Sequence, residues 1–201
     1  MKKKNKLLVY CLALFSVFTT AQAQNDAETD AQRRQFLNVF IDAYQQAYEK
    51  ENTGFLNLIF GEDALILTQT MELKRAEDKI YFGKGKKYRI IAENKKKYLD
   101  RLSKIFLHNE NIRLNLSGAK ITRHRIYGSL YGVTLHQYLQ YSGTGDGLYR
   151  NEGDTEGYLF LMVDFSLSET MPTIHIRTWQ PEKVAEHEGV FSIYSQDVVR
   201  K

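Results

Sequence analysis

The sequence predicts an α+β fold in which N-terminal helices pack on a strongly curved, mostly antiparallel sheet. Three observations support this fold class. Amphipathic helical patterns occupy the first part of the chain, long strand-like segments occupy the second half, and short turns separate most of the strands. Short turns are typical of antiparallel sheets, and helices gathered at one end of the chain indicate an α+β plan.

Length and charge limit the classes of protein that the chain can represent. With 201 residues, 43% of them hydrophobic, it is long enough for one ordinary domain. The formal net charge of +4 comes entirely from four lysines in residues 1–23, and the remaining 24 basic residues are balanced by 24 acidic ones. A neutral domain lacks the basic surface of a nucleic-acid binder, so we expect no nucleic-acid partner.

Residues 1–23 have the pattern of a cleaved signal peptide. Lysines precede an apolar run, Leu7–Phe18, and Ala21-Gln22-Ala23 forms an A-x-A cleavage site. The run is shorter than the ~20 residues of a membrane span, although an uncleaved anchor is the alternative. Cys11, the single cysteine, lies in this run. We therefore expect a periplasmic or secreted protein without disulfides and without membrane insertion after leader cleavage.

The helical part of the chain is predicted as follows. Residues 24–30 are small and polar and are interpreted as a flexible arm before the main domain, residues 31–182. A helix then follows, with one apolar stripe formed by Phe36, Leu37, Phe40, Ile41, Tyr44, Ala47 and Tyr48. A short helix over Phe55–Phe60, a strand over Ala64–Met71 and a helix over Tyr88–His108 complete this part.

The second half of the domain is predicted to be mostly strand. The predicted strands are Ile112–Ile126, with a bend near Ser117-Gly118, then Tyr131–Tyr141, Gly157–Phe165 and Thr173–Gln180. The glycine-rich segment 142–156 is interpreted as a mobile hairpin loop or, alternatively, a lid. Apolar residues in the tail, 183–201, indicate that it packs in part on the domain.

Several segments carry a resemblance to a known family. They are Tyr98-Leu99 with Leu102 and Phe106, Tyr131–Leu135, Gly157–Leu161 with Asp164-Phe165, and Ile174–Pro181. With the order of elements, they resemble the nuclear transport factor 2-like superfamily, and more specifically its uncharacterised exported members in Bacteroidota. The resemblance implies a cone with a cavity between sheet and helices. The superfamily includes ketosteroid isomerase, scytalone dehydratase and epoxide hydrolases as well as non-enzymatic modules, so the fold does not settle function.

Strand alternation selects the candidate site residues. If the aliphatic sets of the last two strands pack together, the other face collects a carboxylate, an imidazole, a guanidinium and aromatic rings. These residues are Asp164, His175, Arg177, Trp179, Tyr158 and Phe160. Such a composition is typical of a pocket wall. Tyr44 and His136 complete the predicted ligand-binding set.

Each candidate has a functional and a structural interpretation. Arg177 would bind an anionic group and Trp179 would stack on a planar ligand, while Asp164 or His175, the catalytic candidates, could transfer protons. Alternatively, Asp164 and Arg177 form a buried or interfacial ion pair beside an uninvolved His175. No spacing motif supports a metal site, and no G-x-S-x-G motif indicates a serine hydrolase.

The leading hypothesis is an exported, non-enzymatic binding or assembly module. Its cone cavity would hold a small ligand, a peptide or a partner, and we expect no cofactor. The alternative is a small-molecule lyase, isomerase or hydrolase with a carboxylate or histidine of shifted pKa in the cavity. Tyrosine-rich strands also favour a homodimer.

Overall fold

The computed structural model describes residues 4–71, 88–124, 126–142 and 155–181. The chain divides into two compact units, Met1–Asn38 and Val39–Lys201. The described part of the first unit is helical throughout. The second unit contains the end of the same helix and every other described element.

Helix α1 spans Lys4–Glu49, helix α2 spans Thr53–Ile59 and helix α3 spans Lys95–His108. The structure includes residues 24–30 in α1, where the sequence predicts a flexible arm. Because neither glycine nor proline occurs before residue 54, nothing in the backbone chemistry interrupts the helix. Whether residues 1–23 are removed as a signal peptide stays a prediction.

The segment Tyr88–Asn94 corrects the sequence prediction, which placed it in a helix. It forms strand β2 and pairs antiparallel with Leu65–Met71. Helix α3 begins only after Asn94, whose side chain accepts a hydrogen bond from the backbone N–H of Lys97 at 3.0 Å. The adjacent pair Ile90-Ile91 fits this strand, since branched side chains favour extended backbone.

One six-stranded sheet contains all the described strands, in the order β2-β1-β6-β5-β4-β3. The strands are β1 Phe60–Met71, β2 Tyr88–Asn94, β3 Glu110–Arg123, β4 Leu130–Ser142, β5 Thr155–Asp164 and β6 Thr173–Gln180. All neighbouring pairs are antiparallel except β1 and β6, which run parallel. The predicted α+β class and the four C-terminal antiparallel strands are confirmed.

Strand β3 is one edge of the sheet. Its register against β4 shifts between Ser117 and Lys120, and Gly118 has a φ of 64°, which confirms the predicted bend. Side chains from α1 bind the edge backbone: Glu49 accepts from the N–H of Leu114 and Gln45 from that of Leu116. These bonds occupy amides that an edge strand otherwise presents to other chains.

A second register shift determines which side chains of β5 and β6 share a face. Leu159, Leu161 and Val163 are fully buried and define the inner face of the sheet. The register shifts between Met162 and Val163, so that Leu161 pairs with Arg177 and Leu159 with Trp179. Directly paired residues share a face, which places Arg177 and Trp179 on the inner face.

Two further predictions fall on segments outside the described residues. They are the hairpin loop, of which residues 143–154 are not described, and the tail over 183–201. Both stay predictions.

Candidate functional site

Arg177 is the centre of the candidate site. It lies on the inner face of β6 and is only 6% exposed. Its Nε donates a hydrogen bond to the hydroxyl of Tyr44 on α1, at 3.0 Å. No carboxylate in the described part of the chain lies within ion-pair distance of its guanidinium. Buried arginines are normally paired with acids, because an uncompensated buried charge costs several kcal/mol.

Three tyrosine hydroxyls extend from this contact as a chain. The hydroxyls of Tyr44 and Tyr48 are 2.9 Å apart, and that of Tyr48 also hydrogen-bonds the hydroxyl of Tyr98 on α3. The guanidinium carbon of Arg177 lies 5.1 Å from the centre of the Tyr98 ring, which is a cation–π distance. We call Arg177, Tyr44, Tyr48 and Tyr98 the arginine–tyrosine cluster.

A second guanidinium borders the cluster. The Arg101 carbon lies 5.4 Å from the centre of the Tyr98 ring. Unlike Arg177, Arg101 is paired with an acid: its Nη2 lies 2.7 Å from an oxygen of Glu93, and its Nε donates to both carboxylate oxygens. The Arg101–Glu93 pair is therefore neutral as a unit, and the positive charge of Arg177 remains uncompensated by the described residues.

Burial fixes the protonation states in this region. It raises the pKa of Tyr48 and Tyr98 well above the ordinary value of 10.0, and it raises the pKa of Tyr141 to about 12. Burial alone would lower the pKa of Arg177, but its interactions with Tyr44, Tyr98 and Tyr48 outweigh that effect and raise it. At neutral pH, Tyr48, Tyr98 and Tyr141 are therefore neutral and Arg177 is charged.

The structure separates the residues that the sequence placed on one face. Arg177 and Tyr44 are in direct contact, and Trp179 shares the inner face of the sheet. Tyr158 and Phe160 pair with Gln180 and Thr178 on the opposite face, so the predicted common face is wrong. The physical reason is the register shift at Met162, which a strict two-residue alternation does not anticipate.

His136 also lies on that opposite face, because it pairs with Tyr158 across β4 and β5. Its Nε2 is 2.9 Å from an oxygen of Glu156, and the rings of His136 and Tyr158 are 5.3 Å apart. His136 therefore does not reach the arginine–tyrosine cluster.

The two predicted catalytic residues meet each other but not the cluster. His175 Nε2 lies 3.7 Å from Asp164, and His175 Nδ1 lies 3.1 Å from Asp63 at the start of β1. Burial would raise the pKa of Asp164, but hydrogen bonds from the hydroxyl and backbone N–H of Ser166 outweigh it and lower the pKa. Within the described residues, the alternative ion pair between Asp164 and Arg177 does not form.

Sequence reasoning missed four residues of the site region: Tyr48, Tyr98, Arg101 and Glu93. Tyr48 is predicted only as part of the apolar stripe of its helix, and Tyr98 is named among the residues that carry the resemblance; the signal that marks both is a buried hydroxyl. Buried hydroxyls need hydrogen-bond partners, so tyrosines that face the core from two helices indicate a polar interior. Among the described residues, no group of three histidine, cysteine or acidic side chains could hold a metal ion.

A groove with a volume of about 810 Å³ runs along the edge strand β3. Its lining is mainly polar and consists of Gln45, Glu49, Glu51, Asn111, Ile112, Arg113, Leu114, Asn115, Tyr138 and Gln140. None of the predicted site residues lines it. In the part of the chain that the structure describes, no helix is long and apolar enough to cross a membrane.

No protein-family model and no curated protein matches the sequence, but solved structures match the fold. A Novosphingobium aromaticivorans protein assigned as a scytalone dehydratase is 13% identical, with a TM-score of 0.55 over 79% of this chain and 93% of that one. One assigned as an aromatic ring hydroxylase, from the same organism, is 14% identical, with a TM-score of 0.52 over 77% and 92% of the two chains.

A Bdellovibrio bacteriovorus protein is 16% identical, with a TM-score of 0.51 over 76% of this chain and 41% of its own. This chain therefore spans less than half of that protein. Together with the helices and the curled six-stranded sheet, the likenesses define an α+β cone. The chain has the fold of the nuclear transport factor 2-like superfamily, as predicted. The finer resemblance to exported Bacteroidota proteins and the homodimer stay predictions.

Proposed function

We propose that the protein is a binding module that holds a small ligand inside the cone, anchored on Arg177. One observation carries this proposal: the guanidinium is buried, charged and paired with no described carboxylate. A ligand that supplies the missing counter-charge would remove most of the cost of burying it. The cone of this superfamily, which encloses its interior between sheet and helices, supports a site at this depth.

Binding fits the cluster better than catalysis does. The carboxylate and imidazole that an enzyme of this kind would use, Asp164 and His175, lie with Asp63 away from the cluster. Two tyrosines of the cluster, Tyr48 and Tyr98, have a raised pKa. A group with a pKa far above neutrality is a poor general base. A lyase, isomerase or hydrolase mechanism would therefore lack a general base among the described residues of the cluster.

The test is a comparison of two arginine substitutions. Arg177→Met removes the buried charge, and Arg113→Met removes an exposed arginine on β3 as the matched control. Purified proteins are examined by native mass spectrometry for a retained compound and then by thermal shift against small organic acids, amines and neutral compounds. We expect retention or stabilisation in the wild type and in Arg113→Met, and its loss in Arg177→Met. Binding that persists in Arg177→Met would contradict the proposal.

We also propose that the module is exported. The lysine-rich start, the apolar run Leu7–Phe18 and the site Ala21-Gln22-Ala23 support cleavage after residue 23. N-terminal sequencing of the protein recovered from the periplasm or medium of a bacterial expression host is expected to begin at Gln24. A protein that stays with the cells and keeps its first residues would contradict export.

A further inference from the structure

We propose that the group anchored by Arg177 is a carboxylate with a single negative charge. This inference rests on the proposed function and adds the chemical class of the ligand. It follows from the hydrogen-bond donors and from the charges of the arginine–tyrosine cluster.

The cluster has more hydrogen-bond donors than acceptors. Its three tyrosine hydroxyls carry one proton each, and only two hydroxyl–hydroxyl bonds join them. Whichever way each bond points, one hydroxyl proton has no acceptor within the cluster. Arg177 adds more donors, because only its Nε–H has a partner among the described residues. A ligand for this site must therefore bring acceptor atoms.

The charges limit what carries those acceptors. Arg101 is neutralised by Glu93, and Tyr48 and Tyr98 keep their protons at neutral pH. One positive charge therefore remains, on Arg177. A ligand with a single negative charge compensates it. A doubly charged phosphate would leave an excess negative charge in a buried site, and an amide or amine would leave Arg177 uncompensated. Two coplanar carboxylate oxygens also match the planar fork of a guanidinium.

Trp179 indicates where the rest of the ligand lies. It is two residues from Arg177 on the same face of β6, a separation of about 7 Å along a strand. Its indole N–H is buried and has no acceptor among the described residues. Its ring lies over Gly157, where an added Cβ would be 2.8 Å from Cζ2, and it offers a flat apolar surface on the same face of the sheet as Arg177. An organic acid with an apolar planar body fits this arrangement better than a bare inorganic anion.

The test uses three probes of similar shape and different charge: benzoate, benzamide and phenyl phosphate. Calorimetric melting at pH 8 and constant ionic strength compares them, because phenyl phosphate is doubly charged there. We expect benzoate at about ten times its Kd to raise the Tm of the wild type by about 3–6 °C. The other two probes should give less than a third of that shift. Arg177→Met should abolish the benzoate shift, and Arg113→Met should keep it.

The other outcomes separate this inference from the proposed function. An equal or larger shift with phenyl phosphate or benzamide that is lost in Arg177→Met would overturn the carboxylate and leave a binding site at Arg177. No shift with benzoate up to 20 mM would also overturn the carboxylate, while the retained-compound experiment decides the binding function by itself. A benzoate shift that survives Arg177→Met would overturn both.

Discussion

Strand β6 carries two polar clusters that are close in sequence but differ in burial and in their pairing with acidic residues. Arg177 contacts Tyr44 and Tyr98 on the inner face and meets no described acid. His175, two residues earlier, lies between the carboxylates of Asp63 and Asp164. Asp63 is 80% exposed, so water solvates that second cluster. The charge near solvent has its counter-charge close by, whereas the buried charge has none among the described residues, and this difference is the basis of the proposed ligand site.

The first prediction concerns the free energy of unfolding at alkaline pH, where we expect the largest effect. Burial raises the pKa of Tyr48, Tyr98 and Tyr141 above 10.0, so the folded chain keeps protons that the unfolded chain loses. The free energy of unfolding should therefore fall as pH rises above 10, by about 1.4 kcal/mol per pH unit for each tyrosine. Urea denaturation at several pH values measures this slope.

Tyr141→Phe is the variant that isolates one of these contributions. The pKa of Tyr141 is raised to about 12, so its share of the slope lies between pH 10 and 12. The substitution should flatten the slope there by about 1.4 kcal/mol per pH unit. An unchanged slope would mean that the Tyr141 hydroxyl is not held protonated by burial.

The second prediction concerns the free energy of unfolding without ligand. Arg177→Met replaces a buried charge, which no described carboxylate pairs, with an apolar side chain of similar length. Replacing buried ion pairs with apolar residues is often neutral or stabilising by about 1–4 kcal/mol. Because Arg177 has no described counter-ion to leave behind, we expect a result in this range together with the loss of binding. Urea denaturation of the ligand-free proteins measures it. Destabilisation by more than about 2 kcal/mol would show that Arg177 serves the fold and not a ligand.

The third prediction concerns the space that Trp179 occupies. A Cβ on Gly157 would lie 2.8 Å from Cζ2 of Trp179 and 2.4 Å from the backbone oxygen of Gln180. Gly157→Ala should destabilise the protein by about 1–3 kcal/mol and shift the emission of Trp179, the single tryptophan. Gly54→Ala in α2 is the control, since its Cβ meets nothing closer than 3.5 Å. Equal effects of the two substitutions would contradict the close approach.

The smallest effect is expected in the other cluster of β6. His175→Ala removes contacts at 3.1 Å and 3.7 Å to two carboxylates, one of them largely exposed. Exposed ion pairs contribute about 0–1 kcal/mol, so the free energy of unfolding should change by less than about 1 kcal/mol and ligand binding should persist. Loss of binding in this variant would remove the distinction between the two clusters.

The sequence was sufficient for the fold class and for strands β3 to β6, because their alternation is long and regular. The prediction was wrong at Tyr88–Asn94, because seven residues are compatible with the period of a helix and with that of a strand. The pairing with β1 determines that this segment is a strand. The alternation of side chains along one strand does not indicate which distant strand pairs with it. The parallel pairing of β1 with β6, more than a hundred positions away, could therefore not be predicted from the sequence.

The site was predictable in part. Arg177, Tyr44 and Trp179 were identified from residue type and parity. The register shift at Met162 then reversed the faces that alternation assigned to Tyr158 and Phe160. Tyr48 and Tyr98 occupy apolar positions of their helices, and periodicity cannot distinguish a hydroxyl with a functional partner from one that only fills the core.

The parallel contact between β1 and β6 has a consequence for the order of folding. Residues such as Ile66 and Arg177 are neighbours across this contact, although most of the domain separates them along the chain. Contacts between such distant residues form slowly, because a long loop must close first. The ribbon of β1 and β2 and the meander of β3 to β5 can form locally, but only β6 joins them. Because synthesis proceeds from the N-terminus, β6, the strand that completes the sheet, is the last of the described strands to be made. The arginine–tyrosine cluster can therefore form only when the sheet is complete.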